Sequence, residues 1–280
     1  ATTLLNPSWK LVEVGTTNKT HLRDYRAALT DQTAAVLRVN PSNYRIVGFS
    51  KQVPVADLAM LKEDHPALIV DDLGCGALVD LERFGLPHEP TVQDSVRAGA
   101  DLVCFSGDKL IGGPQAGIVV GRRPLIDRIR RHPLTRMLRV GKLTDLALEH
   151  VLRLFLTPET LPDRHPVYRM LTADPQALRR RAGRLRRRIL TECPGSTVRT
   201  QAAESAVGGG TLPGCLLPTW VVAVRASAAS PGRLCELLRR CEPPVVCRVK
   251  CDEVLVDMRT LLPGDDAQVV KAFAHVARGQ

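Results

Sequence analysis

Three side chains of different chemistry stand at the ends of apolar, strand-like runs. Asp72 follows Ala67-Leu68-Ile69-Val70-Asp71 and precedes Leu73-Gly74-Cys75-Gly76. Lys109 lies in the glycine-rich turn Phe105-Ser106-Gly107-Asp108-Lys109-Leu110-Ile111-Gly112-Gly113-Pro114-Gln115-Ala116-Gly117. Asn43 comes just after the β-rich run Thr33–Val39, in Asn40-Pro41-Ser42-Asn43. Open α/β sheets hold their ligands at such strand ends. An amine, a carboxylate and a polar amide are what a lysine-bound pyridoxal phosphate needs: the amine for the imine, the carboxylate to keep the pyridine nitrogen protonated, and the amide near the ring oxygen. The plain alternative is a lysine in a surface loop. A nucleotide P-loop is excluded, because Gly-x-x-x-x-Gly-Lys-Ser/Thr does not occur.

Positioning these groups takes alternating strands and helices. Short strands are expected at Leu11–Val14, Thr33–Val39, Ala67–Val70, Leu102–Phe105 and Ala116–Val120. Helices are expected near Thr20–Leu29, Val55–Lys62, Thr91–Ala98, Pro124–Arg131 and Thr144–Leu156. Continuously apolar strands alternating with helices predict an α/β layer with a mainly parallel sheet. Beyond Thr157–Pro166, where three prolines interrupt the chain, the pattern changes. There it reads strand Trp220–Val224, helix Pro231–Arg240, strands Val245–Lys250 and Val254–Met258, and helix Asp265–Arg278. We therefore expect a large domain over 1–156 and a small α+β domain over 157–280.

The 280 residues carry a net charge of +10, and the excess is local. Residues 1–121 are net −3, whereas residues 122–188 hold 18 basic against 6 acidic side chains, net +12. Arginines outnumber lysines 31 to 8. The run from Leu178 to Ile189 follows Asp174-Pro175, a good N-cap and first helical residue. Leu178, Ala182, Leu185 and Ile189 recur at helical spacing and predict a buried stripe with the arginines outward. That face is either simply solvated or turned toward a polyanion, since guanidiniums bind phosphates. Aromatic residues are 4% of the chain, so base stacking is not the expected mode of any RNA contact.

Eight cysteines lack a C-x-x-C pair; Cys235, Cys241, Cys247 and Cys251 are separated by five, five and three residues. They read as reduced structural thiols rather than a metal or disulfide framework. No apolar run reaches the roughly 20 residues of a membrane span. The opening Ala1–Pro7 has no charged stretch followed by an apolar one, as a secretory signal would. A cytoplasmic globular protein is expected, with no metal and no membrane partner.

Longer motifs narrow the reading. Val12-Glu13-Val14-Gly15-Thr16-Thr17-Asn18-Lys19-Thr20-His21, Ser42-Asn43-Tyr44, Asp72-Leu73-Gly74 with Leu78-Val79-Asp80-Leu81, and the Phe105–Gly117 turn together resemble the bacterial selenocysteine synthases, the L-seryl-tRNA(Sec) selenium transferases. The likeness continues through His132-Pro133-Leu134-Thr135-Arg136-Met137-Leu138-Arg139 and the Leu146–Leu156 helix. It is strong over about residues 11–156 and weakens after about 170, although Gly210-Thr211-Leu212-Pro213 still looks like the family's small domain. Asn43, Asp72 and Lys109 also come in the order used by pyridoxal enzymes of aminotransferase fold.

The resemblance implies a fold type I pyridoxal 5'-phosphate domain with a small C-terminal α+β domain. It implies Lys109 as the Schiff-base lysine and base for the α-proton, Asp72 at the ring nitrogen, Asn43 at the ring oxygen and Ser106 at the cofactor phosphate. The reaction it implies converts seryl-tRNA(Sec) to selenocysteinyl-tRNA(Sec) through a dehydroalanyl intermediate, with selenophosphate as selenium donor. Thr16, Thr17, Asp108, Arg136 and Arg139 match positions near the substrate pocket. Arg136 and Arg139 suit a doubly charged oxyanion, and otherwise they are solvated turn residues. Thr16 and Thr17 are otherwise a helix cap.

The family's chain is longer at the N-terminus, where it carries a small tRNA-binding domain and part of the cofactor's phosphate anchor. This chain therefore reads as N-terminally truncated relative to it, and Cys75 stands where the family more often has a small hydroxyl residue. A dimer-based homo-oligomer is implied as well. Two other readings stay open: a related pyridoxal-dependent lyase acting on a small amino acid or amino-sugar acid, and a non-catalytic remnant that binds tRNA or other subunits.

Overall fold

The computed structural model describes residues 9–15, 18–227 and 229–279. It divides into two compact units: one is 1–158 together with 208–213, and the other is 159–207 together with 214–280. The stretch 208–213 thus leaves the small domain expected from the sequence and joins the first unit.

In the first unit, α1 (Leu22–Ala28) leads to β1 (Ala35–Val39), α2 (Val55–Ala59), β2 (Leu68–Gly74), α3 (Val92–Arg97), β3 (Leu102–Ser106) and β4 (Gly117–Gly121). Then come α4 (Arg123–Arg131), α5 (Pro133–Leu138) and α6 (Lys142–Leu154). The sheet order is β1-β2-β3-β4; the first three strands are parallel and β4 runs antiparallel to β3. This is the α/β class expected from the alternation of apolar strands with helices. The core of this layer is built from Val36, Leu58, Leu61, Ile69, Leu73, Val103 and Ile111, with Leu148, Leu152 and Phe155 packed against it.

Residues 11–14 do not form the expected strand. An extended run needs a neighbour for its ladder, and no strand pairs with it among the described residues. The first pairing there is a single parallel bridge between Lys19 and Lys51. The expected helix Val55–Lys62 is α-helical only to Ala59 and tightens into a 3-10 turn over Met60–Glu63.

Strand alternation gives two adjacent aspartates different duties, because successive side chains point to opposite faces. Asp71, fully buried, accepts hydrogen bonds from Arg38 (2.7 Å) and Ser95 (2.6 Å) and ties β1 to the start of α3. Thr91 caps that helix: its Oγ accepts from the Asp94 amide at 3.1 Å and donates to the Asp94 carboxylate at 2.6 Å. This hydrogen bond holds the Asp94 carboxyl below its ordinary pKa.

The second unit holds α7 (Leu161–Arg164), α8 (Pro166–Thr172), α9 (Pro175–Glu192), β5 (Thr197–Ala206), β6 (Leu216–Arg225), α10 (Pro231–Arg239), β7 (Arg248–Lys250), β8 (Glu253–Asp257) and α11 (Asp265–Ala277). Its antiparallel sheet runs β5-β6-β8-β7, so the unit is α+β. Asp174 caps α9 by accepting from the amides of Gln176 (3.1 Å) and Ala177 (2.9 Å), and Pro175 sits at its first turn. Leu178, Ala182, Leu185 and Ile189 are buried against β5, β6 and α11, as their spacing predicts. Arg259 is buried and uses its planar fork on the carbonyls of Met170, Leu171, Ala173 and Pro218.

Candidate functional site

The carboxyl ends of β1, β2 and β3 lie side by side, because those strands are neighbours and parallel. Each delivers one of the residues singled out by its chemistry. At the end of β2 the pairing with β3 shifts between Asp72 and Gly74, so that Asp72 opposes Cys104 and Gly74 opposes Phe105. Such an irregularity re-aims side chains and is common beside functional sites. The Gly74 amide donates to Asp72 Oδ1 at 3.0 Å, fixing the carboxylate in a tight Asx-type turn.

Past β3 the chain folds into a turn closed by backbone bonds. The Gly107 amide donates to Ala116 O, the Gly113 amide to Gly107 O and the Gly112 amide to Lys109 O, at 2.8, 2.8 and 2.9 Å. That turn aims Lys109 back toward the β1 loop, where its Nζ donates to Ser42 Oγ at 3.3 Å. Ser42 is buried and Lys109 is half-buried.

Two glycines make room around the amine. A Cβ on Gly74 would stand 2.6 Å from Ser42 Oγ and 3.8 Å from Lys109 Nζ. A Cβ on Gly210 would stand 2.7 Å from Lys109 Cε, 2.8 Å from Nζ and 2.9 Å from Asn43 Oδ1. The 208–213 loop therefore approaches Lys109 and Asn43 as bare backbone. It is anchored by Leu212, which is buried although its φ is +45°. Burying a leucine stabilises by about 1.5–3 kcal/mol, against about 1–2 kcal/mol for a left-handed residue, so burial wins.

The structure thus brings Lys109, Asn43 and Asp72 to one sheet edge and adds Ser42, Gly74 and Gly210. Ser42 was visible in the Ser42-Asn43-Tyr44 motif but carried no role there. Gly210 was visible in Gly210-Thr211-Leu212-Pro213 but carried no role there, since a residue that acts by lacking a side chain leaves no chemical signature. Ser106 ends β3 half-buried, with no side-chain hydrogen bond among the described residues, and Asp108 is exposed in the turn. Arg136 on α5 and Arg139 just after it are exposed. Among the described residues, neither makes an ion pair or hydrogen bond with the groups around Lys109. Thr16 and Thr17 lie outside the described residues.

Behind the site, the buried Cys75 thiol donates to Glu89 Oε1 at 2.9 Å. Burial and that carboxylate push the thiol up to about 12. Burial and the charges of Asp72 and Asp71 also raise Cys104. All eight cysteines are free, and a thiol raised to about 12 makes Cys75 no nucleophile at neutral pH.

The residues present suit pyridoxal phosphate. A carboxylate fixed through one oxygen, an amide oxygen and a lysine amine share one strand-end edge, and two glycines leave the space beside the amine that side chains would otherwise fill.

Comparison with known proteins agrees. A model of the family described as L-seryl-tRNA selenium transferase matches residues 4–262. The L-seryl-tRNA(Sec) selenium transferase of Moorella thermoacetica is 45% identical over 272 residues, 96% of this chain and 58% of that protein. That of Nitratidesulfovibrio vulgaris is 48% identical over 269 residues, 95% of this chain and 56% of that protein. The chain therefore spans less than three fifths of the length of these curated relatives. Among solved structures, D-glucosaminate-6-phosphate ammonia-lyase superposes with a TM-score of 0.57 at 19% identity, over 96% of this chain and 64% of that one, and shares the fold. By the extent of the family match and the identity to its members, the chain belongs to the L-seryl-tRNA selenium transferase family.

Proposed function

We propose that this chain carries the pyridoxal-phosphate site of an L-seryl-tRNA(Sec) selenium transferase, which replaces the serine hydroxyl on tRNA(Sec) with selenium from selenophosphate. The observation that carries the reading is the meeting of Lys109, Asn43 and Asp72 at the carboxyl ends of three adjacent parallel strands, in a chain of this family.

When bound, pyridoxal phosphate supplies an electron-withdrawing ring conjugated to the serine Cα, which acidifies the α-hydrogen. Lys109 would hold the cofactor through Nζ and, once released from it, accept the proton from the serine Cα. Asp72, already fixed by the Gly74 amide, would pair with the ring nitrogen. Asn43 would meet the ring oxygen and Ser106 the cofactor phosphate. Ser42 would orient the Lys109 amine by accepting a hydrogen bond from Nζ. Arg136 and Arg139 would receive selenophosphate through their planar forks, with Thr16, Thr17 and Asp108 lining the substrate pocket.

A dimer-based homo-oligomer belongs to this reading and is supported by exposed apolar side chains of the first unit, among them Met137, Leu138, Leu143 and Leu146. The reaction sets the protein in the cytoplasm, where aminoacylated tRNA is used. The ammonia-lyase likeness favours no lyase activity here, because at 19% identity it concerns the fold alone.

The test is direct. Pyridoxal phosphate is added to the 280-residue chain, the adduct is reduced with borohydride, and labelled peptides are mapped. Label on Lys109, absent from Lys109→Ala, is expected. Label confined to other lysines refutes the site assignment. A correctly labelled chain, supplemented with any further part of the protein, that never turns seryl-tRNA(Sec) and selenophosphate into selenocysteinyl-tRNA(Sec) refutes the reaction.

A further inference from the structure

Helix α9 carries seven arginines, and the structure sorts them by the work they do. Three flank the buried stripe and are engaged with the second unit. Arg181 chelates Asp266 at 3.0 Å and donates to Leu261 O and Leu262 O. Arg186 donates to Val198 O at 3.1 Å, and the Arg179 guanidinium lies 5.1 Å from the centre of the Trp220 ring. The other four, Arg180, Arg184, Arg187 and Arg188, are exposed. Among the described residues none of them has a carboxylate within ion-pair distance.

At 3.6 residues per turn these four fall within an arc of about 100°, roughly opposite the Leu178–Ala182–Leu185–Ile189 stripe. They span about 12 Å of helix axis at a 1.5 Å rise. Four uncompensated guanidiniums in such a row repel one another, which no feature of the second unit's own fold requires. Some exposed helical arginines elsewhere sit beside acids, Arg97 with Asp94, Arg153 with Glu149 and Arg233 with Glu236, whereas Arg128, Arg130 and Arg131 on α4 have no acidic partner among the described residues. On α9 only Arg181 has an acidic partner, and the four outward guanidiniums have no partner of any kind among the described residues.

We propose that the outward face of α9 is a docking surface for the phosphate backbone of a structured RNA. The choice of tRNA(Sec) as that RNA rests on the function proposed above. Charge complementarity names the occupant: a polyanion with regularly repeated phosphates matches a row of planar forks and releases its counterions on binding. A membrane surface is the poorer match. An interfacial helix needs its own apolar face free to enter the lipid, and here that face is the core of the second unit. Gly183 and Thr191, the neighbours of the arginine row, offer neither bulk nor an aromatic ring for base contacts. Binding is thus to phosphate and shape, insensitive to base sequence.

The experiment compares two variants of equal net charge by the salt dependence of their affinity for a tRNA(Sec) transcript. In one, Arg180, Arg184, Arg187 and Arg188 are changed to Gln; in the other, Arg97, Arg153, Arg233 and Arg240 are. Seven of these positions are on helix surfaces and Arg240 directly follows α10, and melting curves confirm that both variants fold. With about 0.7–0.9 counterions released per phosphate contact, the α9 variant is expected to lose about 3 from the slope of log K against log salt. Raising salt fourfold would then weaken the unaltered chain about 60-fold more than this variant. The control variant is expected to keep most of the slope.

Equal slopes in the unaltered chain and the α9 variant overturn the proposal, as does an equal loss in the control variant or no tRNA binding at any salt. Loss of binding to phosphatidylserine vesicles with tRNA binding intact would assign the face to a membrane and overturn it too. Borohydride labelling of Lys109 is read separately in the same proteins, so a failed cofactor site and a failed RNA surface give different results.

Discussion

Replacing Gly210 by alanine tests whether the 208–213 loop belongs to the site, because the effects on stability and on chemistry should separate. Gly210 has φ +80°, where an L-residue costs about 1–2 kcal/mol. Alanine recovers about 0.4–1 kcal/mol by restricting the unfolded chain. The net backbone penalty is then about 1 kcal/mol, a fall of roughly 2–4 °C in melting temperature for a protein of this size. The new Cβ would lie 2.7–2.9 Å from Lys109 Cε, Lys109 Nζ and Asn43 Oδ1. Ordinary contacts are about 3.5–4.0 Å, so the lysine end must retreat by close to 1 Å. A flexible lysine tail gives way cheaply, but a misplacement of that size at a reacting group costs up to about 100-fold in rate. We therefore expect Gly210→Ala to slow borohydride-trappable labelling of Lys109 by about 10- to 100-fold while melting only a few degrees lower. Gly209→Ala, where a Cβ meets nothing within 4 Å and φ is not positive, is the control and should change neither. Labelling of Gly210→Ala at the unaltered rate would refute the claim that this loop bounds the amine.

Asp101 is buried where β3 begins and accepts from the Ile69 amide (2.8 Å), Lys62 (2.8 Å) and Arg122 (3.1 Å). Burial alone would raise its pKa, but these three donors outweigh it and hold the carboxyl below its ordinary value. Its contribution is therefore complete above the unfolded value near pH 4 and is lost as pH falls through the lower folded value. Asp101→Asn should cost about 2–3 kcal/mol at pH 7, at or below the range for breaking a buried pair because Lys62 and Arg122 reach solvent. Urea midpoints measured from pH 7 to pH 3 should show the gap between the two proteins closing at the acid end, and a pH-independent gap would contradict the assignment. With its thiol pushed up to about 12, Cys75 is about one part in ten thousand thiolate at pH 8. Iodoacetamide should therefore modify exposed Cys251 in the folded protein and Cys75 only after denaturation; equal rates read by mass spectrometry would show that the Cys75–Glu89 pair does not form.

What the sequence made legible follows from how each element is stabilised. The apolar strands β2 and β3 and the capped helix α9 carry their own signals, a run of buried side chains or an Asp-Pro start followed by a 3.6-residue stripe, and they formed where expected, whereas the expected strand Val245–Lys250 is a strand only over Arg248–Lys250. β5 gave no such signal. Its ten residues, Thr197–Ala206, are mostly small or polar and only two are buried. It exists because β6, far more apolar, offers it a ten-residue antiparallel ladder, a long-range pairing that no local window contains. Leu11–Val14 is the reverse case, a locally strand-like run with no ladder partner among the described residues. Helices α7 and α8 fell in a stretch whose prolines read as a break, yet both Pro162 and Pro166 sit in first turns, where a missing amide costs nothing.

The same distinction governs the site. Asn43, Asp72 and Lys109 could be picked out because each supplies an atom that chemistry requires, and strand ends are where such atoms gather. Ser42, Gly74 and Gly210 act through position: one accepts a hydrogen bond, and two hold a side chain's volume open. Their roles depend on which backbone comes close to the amine, and in the case of Gly210 that backbone lies about a hundred residues further along the chain. Asp71 makes the point from the other side. It is the same residue type as its neighbour and adjacent in sequence, yet strand alternation commits it to Arg38 and Ser95. A one-residue shift in the register of β2 would exchange the two carboxylates, leaving one without its guanidinium inside the core and the other away from the amine. The ladder between β1 and β2 is therefore as necessary to the proposed chemistry as the lysine, because it decides which of two identical acids faces the site.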